Sequence, residues 1–97
     1  MKTVFIAYDQ ANHDNVIEVL ERTNVKGFTL LDQVKGRGTN TGEPHMGSHA
    51  WPTMNAAIIT VVEDNVVEAL LERLKQVDVD NEMLGLRAFV WNVEQYI

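Results

Sequence analysis

The amino-acid sequence predicts an α+β domain whose elements follow the order β-α-β-β-α-β. Two amphipathic helical segments are each bracketed by segments rich in β-branched and aromatic residues, which favour strands. The chain of 97 residues is long enough for one domain and too short for two, so residues 1–97 are predicted to form a single unit. Two βαβ halves in this order give the ferredoxin-like arrangement, a four-stranded antiparallel sheet with both helices on one face.

The first half of the pattern is a strand, a helix and a second strand. Residues 3–8 predict the first strand because they are β-branched or aromatic at most positions. Asn12 is a candidate N-cap for a helix that Asn24 ends, and residues 28–34 predict the second strand. The helix prediction depends on four residues at the spacing i, i+3, i+4, i+7: Val16, Val19, Leu20 and Thr23.

The second half repeats that layout without repeating the sequence. Residues 54–62 predict the third strand, and Asn65 with Glu68 three positions later has the spacing of a helix capping box. The Asp-rich residues 77–81 are predicted to be a polar connector, and residues 84–93 predict the fourth strand. The second helical stripe consists of Val67, Leu70, Leu71 and Leu74.

Several predicted strands are apolar on both faces. A sheet covered by helices on one side normally alternates apolar and polar residues. Residues 4–7, 56–59 and 88–91 do not alternate, because nearly every position is apolar. The second face therefore needs a cover, and another copy of the same chain is the economical one. The sequence predicts a homo-oligomer.

Composition and charge exclude several classes of protein. The chain has no cysteine, which removes disulfides, thiol catalysis and Cys-type zinc sites. The net charge of −6 argues against nucleic-acid binding, which needs a basic face. The N-terminal apolar stretch is too short for a signal peptide, and no apolar run is long enough to insert into a membrane. We expect a soluble, cytoplasmic protein.

A glycine-flanked cation ends the second strand. The segment Gly36-Arg37-Gly38 could hold an anion through backbone amides and the guanidinium group. Lys35 and Arg87 are further cations that could join the same pocket. The alternative is structural, because a strand end often needs the dihedral freedom of glycine. Both interpretations stay open at the level of sequence.

The following segment, residues 39–52, matches neither helix nor strand and contains two of the three histidines. His45 and His49 are candidate ligands for a divalent ion such as Zn²⁺ or for a copper ion, with Glu43 as a further donor. A long segment of this kind in a small domain usually has a function or is disordered. The alternative is a pair of loop histidines that bind nothing. The third histidine, His13, is predicted to be solvated at the start of the first helix.

The sequence offers little that resembles an active site. Asp9, Asp14 and Asp32 lie apart, with no matched base or nucleophile. Ser48 beside His49 does not establish a catalytic triad. We therefore expect a protein that is not an enzyme. A small enzyme on this scaffold remains an alternative, because a fold does not determine a function.

Three segments resemble the nitrogen regulatory PII family, and more closely its divergent PII-like members. Residues 25–29, VKGFT, resemble the family's turn into its second strand. Residues 34–38, VKGRG, resemble the V-K-G-x-G that opens the long T-loop of the family. Residues 89–97, FVWNVEQYI, resemble the ending F-V-x-x-V-E-x-x-I. Their order and spacing agree with the fold predicted above.

The resemblance implies a homotrimer that senses a small effector and regulates a partner. In the family the partner is often a membrane transporter, and some PII-like members are associated with heavy-metal efflux pumps. Family members commonly bind adenine nucleotides, ATP or ADP, in clefts between subunits. The T-loop, which corresponds to residues 39–52 here, usually contacts the partner.

The chain departs from the family at the nucleotide-binding B-loop, T-G-x-x-G-D-G-K. The matching segment, residues 78–87, keeps only Gly85 and has Arg87 in place of the lysine. A glycine nest cradles phosphates, whereas the acidic residues found here would repel them: Asp78, Asp80 and Glu82. We therefore predict a trimeric PII-like regulator that senses an effector through residues 39–52, with a metal ion favoured. The alternative is an adenine-nucleotide-binding regulator without metal.

Overall fold

The computed structural model describes residues 1–36 and 54–97. Short 3₁₀ turns at Gln10–Asn12 and Asp64–Val66 precede the two α-helices. The strands and α-helices are β1 (Lys2–Asp9), α1 (His13–Arg22), β2 (Thr29–Val34), β3 (Asn55–Val62), α2 (Val67–Asp80) and β4 (Leu86–Asn92). The predicted βαββαβ order is confirmed.

The four strands form one antiparallel sheet in the order β2-β3-β1-β4. The central strand β1 pairs with β3 along its whole length, with Ile6 opposite Ile58, and with β4, where Ile6 lies opposite Ala88. This is the strand order expected when two βαβ halves interleave, and it matches the predicted ferredoxin-like sheet.

The hydrophobic core lies between α1, α2 and one face of the sheet. From the helices it takes the predicted stripes, with Val16, Leu20, Leu70 and Leu74 almost fully buried. From the sheet it takes alternate positions, because side chains i and i+2 of a strand share a face. These sheet residues include Val4, Ile6, Tyr8, Ala56, Ile58 and Leu86. Both helices therefore lie on one face, as the sequence predicted.

Helix α1 ends in a Schellman motif. The Val25 amide donates to the Leu20 carbonyl at 2.8 Å, and the Asn24 amide donates to the Glu21 carbonyl at 3.1 Å. Asn24 has φ of 60°, the left-handed conformation that this motif requires after the helix. The prediction that Asn24 ends the helix is confirmed, with a specific set of hydrogen bonds as its cause.

Of the two predicted helix starts, the N-cap position of α1 is confirmed, whereas the capping hydrogen bonds are not. Asn12 stands at the N-cap position of α1, but its side chain makes no capping hydrogen bond. Asp9 instead accepts from the Ala11 amide at 2.8 Å, because the 3₁₀ turn places the capping site three residues earlier. The capping box at Asn65 and Glu68 does not form, since Asn65 lies inside the second 3₁₀ turn.

Helix α2 is longer than predicted. It continues to Asp80 through the segment expected to be a connector. Val77 explains the extension, because it follows Leu70 and Leu74 on the buried stripe and packs against the core. This burial outweighs the weak helix propensity of the aspartates. Strand β4 then begins at Leu86 instead of position 84, because Gly85 turns the chain with φ of 80°.

The other face of the sheet is apolar and is not covered by the described residues. We call it the outer face, and its large side chains are 37–56% exposed: Leu31, Ile59, Val61, Phe89 and Trp91. The lack of alternation noted in the sequence is therefore explained by two apolar faces, of which the helices bury one. In the described parts of the chain, no helix is long and apolar enough to cross a membrane.

Candidate functional site

An open cleft of about 380 Å³ lies at one end of the outer face, beside the strand ends that border residues 37–53. We call it the outer cleft. It draws on all four strands and on the turn before β4, so only the folded chain assembles it. Its lining consists of Phe5, Ala7, Leu31, Val34, Lys35, Gly36, Asn55, Ala57, Gly85, Arg87 and Phe89.

The cleft exists because one row of the sheet carries small side chains. Ala57 and Ala7 lie side by side on β3 and β1, with Leu31 on β2 and Arg87 on β4 completing the row. The neighbouring row is bulky, with Phe5 between its partners on β3 and β4. The step from large side chains to alanine leaves a depression with an apolar floor and a cation at one end.

A β-bulge in β2 directs the strand end into this cleft. Leu31 pairs with Ala57 and Val34 pairs with Asn55, so β2 carries one more residue than β3 between these points. Gln33 lies in the bulge with φ of 56°, a conformation that costs energy for a residue other than glycine. Because of the extra residue, Leu31 and Val34 line the same cleft although they are three positions apart.

Gly36 is placed where a Cβ atom would be in tight contact with its neighbour. An added Cβ atom would lie 3.0 Å from Nδ2 of Asn55, which also lines the cleft. The backbone of Gly36 is therefore close to the cleft wall, and a larger residue would displace Asn55. This contact gives Gly36 a steric reason to be glycine.

Arg87 supplies the cation at the opposite side of the cleft. Gly85 has φ of 80° and turns the chain between α2 and β4, and β4 then carries Arg87 into the row of small residues. The Arg87 guanidinium donates to the Leu86 carbonyl at 2.8 Å and lies 3.6 Å from a carboxylate oxygen of Asp78. It is 46% exposed, so a ligand in the cleft can reach it.

The described lining has two cations, Lys35 and Arg87, and no carboxylate. The protein as a whole is acidic, with a net charge of −6, so this end of the outer face differs in sign from the rest of the chain. These cations favour an anionic ligand, because a guanidinium group can donate two hydrogen bonds to one phosphate or carboxylate.

The structure brings part of the sequence-predicted site together. Gly36 and Arg87, 51 positions apart, line one cleft with Lys35. Arg37, Gly38 and the candidate metal ligands His45 and His49 lie outside the described residues. In residues 1–36 and 54–97, no group of three or more His, Asp or Glu side chains is arranged to hold a metal ion.

Sequence reasoning missed Phe5, Ala7, Asn55 and Phe89 as lining residues. Each belongs to a strand-like run whose local pattern indicates only burial. The sequence did contain one indication of this site: the strands are apolar on both faces, which predicts that the face away from the helices contacts something. Which positions on that face meet depends on strand register, which one sequence does not specify.

His13 is half-buried and has a hydrogen-bond partner, so the prediction of a solvated side chain is only partly right. Its Nδ1 atom lies 2.7 Å from the Tyr8 hydroxyl in a hydrogen bond, and the two rings stack with centroids 5.9 Å apart. Burial, with a smaller contribution from the Asp32 carboxylate, raises the pKa of Tyr8 to about 12. The pair lies on the helix side of the sheet, where its hydrogen bond satisfies polar groups at the start of α1.

Comparison with known proteins places these features in a family. The family model for nitrogen regulatory protein P-II matches residues 1–97. The fold matches CPII from Thiomonas intermedia K12 bound to ADP and bicarbonate, with 24% identity, a TM-score of 0.73, and coverage of 93% of this chain and 82% of that one. A second CPII structure, bound to ADP, AMP and bicarbonate, has 23% identity, a TM-score of 0.72, and coverage of 99% and 94%.

A structure from another organism agrees in fold. A PII-like signalling protein of Thermus thermophilus has 25% identity and a TM-score of 0.66, with coverage of 95% of this chain and 85% of that one. No protein of curated function matches the chain.

Proposed function

The chain belongs to the nitrogen regulatory protein P-II family, and from that premise we propose that it is a homotrimeric regulator that binds an adenine nucleotide in the outer cleft. The observation that carries the proposal is the convergence of Gly36, Lys35 and Arg87 on one cleft, from the two edges of the sheet. This favours the nucleotide alternative of the sequence analysis over metal sensing as the main function.

The chemistry of the cleft suits a phosphate group joined to an apolar base. Lys35 and Arg87 offer charge to phosphate oxygens, and Gly36 lines the same cleft. Phe5, Phe89 and the alanine floor offer an apolar surface for a ring system. CPII, which shares the fold, has been solved with ADP and AMP, and this supports adenine nucleotides as the first ligands to test.

The trimer proposal rests on the outer face. Its exposed apolar side chains are neighbours on one face of the sheet and form a continuous surface. Continuous apolar surfaces of this kind mark interfaces, whereas single exposed apolar residues do not. Phe5 and Phe89 belong both to this face and to the cleft. A second copy packed on the face would therefore close the cleft, and the ligand would lie at a boundary between subunits.

Signalling would start at Gly36, the last described residue before the T-loop-like segment of residues 39–52. A ligand that contacts Gly36 and Arg87 would favour one arrangement of the strand ends. That arrangement would favour one state of residues 39–52, and the partner would bind that state in preference to others. By resemblance to the family, the partner is a membrane transporter or an efflux pump, contacted from the cytoplasm.

The test is nucleotide binding to Arg87→Ala, measured by calorimetry with AMP, ADP and ATP. Loss of a hydrogen bond to a charged group costs about 1.5–3 kcal/mol, so we expect the dissociation constant to rise about 10- to 100-fold. Arg22→Ala is the matched control, because Arg22 is an exposed arginine of α1 paired with Glu18. Unchanged affinity in Arg87→Ala would remove Arg87 from the site.

A second candidate function is metal sensing by residues 39–52. Its support is the sequence, in which His45, His49 and Glu43 lie within seven positions. Native mass spectra of the metal-stripped protein with Zn²⁺ or copper ions would test it. Stoichiometric uptake that is lost in the double variant His45→Ala, His49→Ala would support this function, and uptake that survives in that variant would refute the ligand assignment.

A further inference from the structure

Arg87 lines two separate depressions of the surface. One is the outer cleft, where it faces Lys35 and Gly36. The other is a smaller depression of about 170 Å³ between α2 and β4, which Lys75 and Asp78 also line. The Arg87 side chain therefore lies between the outer cleft, where the ligand is proposed to bind, and the carboxylate of Asp78, which lies outside that cleft.

In the described structure the Arg87 guanidinium is paired on the helix side. Its Nη1 atom lies 3.6 Å from Oδ2 of Asp78, and the same Nη1 atom donates to the Leu86 carbonyl. Asp78 is 29% exposed, so this ion pair is partly shielded from solvent. Any anion that engages Arg87 in the outer cleft competes with Asp78 for the same guanidinium.

Asp78 is badly placed for the stability of its own helix. It lies in the last turn of α2, where the helix dipole disfavours negative charge, and that turn contains no basic residue. Asp80, in the same turn, accepts a hydrogen bond from the Gln76 side chain and does not pair with Arg87. Asp78 is thus distinguished from its neighbour by its contact with the cleft arginine.

We propose that Asp78 is a positioning residue that competes with the ligand of the outer cleft for Arg87 and thereby weakens binding of phosphate-rich ligands. The inference rests on the proposed nucleotide function and adds a determinant of selectivity to it. The Asp78 carboxylate partly neutralises Arg87 at 3.6 Å, whereas Lys35, the other cation of the described lining, forms no such pair with Asp78. A ligand with more phosphate charge gains more from the released guanidinium, so Asp78 favours AMP relative to ATP.

The experiment compares Asp78→Asn with the matched control Asp80→Asn. Both replacements remove one charge from the last turn of α2, and only the first removes the partner of Arg87. Calorimetry at constant salt with AMP, ADP and ATP measures the affinities of wild type and both variants. Thermal unfolding of each variant establishes that the fold is retained.

We expect Asp78→Asn to tighten ATP binding about tenfold and AMP binding about threefold, with smaller changes in Asp80→Asn. In an Arg87→Ala background the effect of Asp78→Asn should vanish, because the two residues then no longer act on each other.

Equal affinities in wild type and Asp78→Asn would overturn the inference and leave the nucleotide function standing. An effect of Asp78→Asn that persists in the Arg87→Ala background would also overturn it, since the carboxylate would then act on the ligand directly. If neither wild type nor Asp78→Asn binds any of the three nucleotides, the inference and the proposed function both fail.

Discussion

Replacing Trp91 by alanine tests whether the outer face is the interface of a trimer. Trp91 lies on β4 two positions from Phe89, on the same face of the sheet, and is 51% exposed in the single chain. A large aromatic side chain buries about 200 Å², so about 100 Å² of Trp91 remains for an interface to cover. At about 25 cal/mol per Å² this area is worth about 2.5 kcal/mol in each subunit.

A cyclic trimer buries three such side chains, so Trp91→Ala should cost about 7.5 kcal/mol per trimer. Since about 1.4 kcal/mol is a factor of ten, the equilibrium constant for three chains forming one trimer falls by about 10⁵. The protein concentration at which half of the chains are dissociated varies with the inverse square root of that constant, so it should rise about 300-fold. These values are upper limits, because part of the gain from buried area is offset by ordering of side chains.

Sedimentation velocity over a dilution series measures this shift directly. Met83→Ala is the control, because Met83 is 90% exposed in the turn after α2 and lies outside the sheet. We expect Met83→Ala to dissociate like wild type and Trp91→Ala to dissociate at far higher concentration. A wild type that is monomeric throughout, or a Trp91→Ala trimer as resistant to dilution as wild type, would refute the assignment of the outer face.

Three further predictions concern the site and the core. Ala7→Leu should fill the alanine floor of the outer cleft and weaken nucleotide binding at least tenfold by calorimetry, while circular dichroism shows an unchanged fold. Gly85→Ala forces an L-residue to φ of 80° and should cost about 1–2 kcal/mol in urea unfolding, whereas Gly27→Ala, which has open space for a Cβ atom, should cost less. Tyr8 has a folded pKa of about 12 against 10 unfolded, so its contribution to stability is complete below pH 10 and is lost as the pH rises through 12. Tyr8→Phe should lack that alkaline loss, and identical pH dependence in the two proteins would contradict the burial of the hydroxyl.

The sequence predicted what depends on neighbours along the chain. The helical stripes of Val16, Val19 and Leu20 and of Leu70 and Leu74 are buried as expected, because a period of 3.6 residues defines one face of a helix. Asn24 ended α1 for a local reason, its tolerance of the left-handed conformation. The apolar runs in the strands indicated two buried faces, and the helices cover one of them.

The tertiary structure decided the features that depend on residues far apart. Val77 carried α2 through an Asp-rich segment because a buried contact outweighed local propensity. Register and the bulge at Gln33 placed Gly36 beside Asn55 and opposite Arg87, and no local pattern encodes register. The pairing of Arg87 with Asp78 likewise appeared only when α2 packed beside β4, because the energy of a charge depends on what lies within a few ångströms of it.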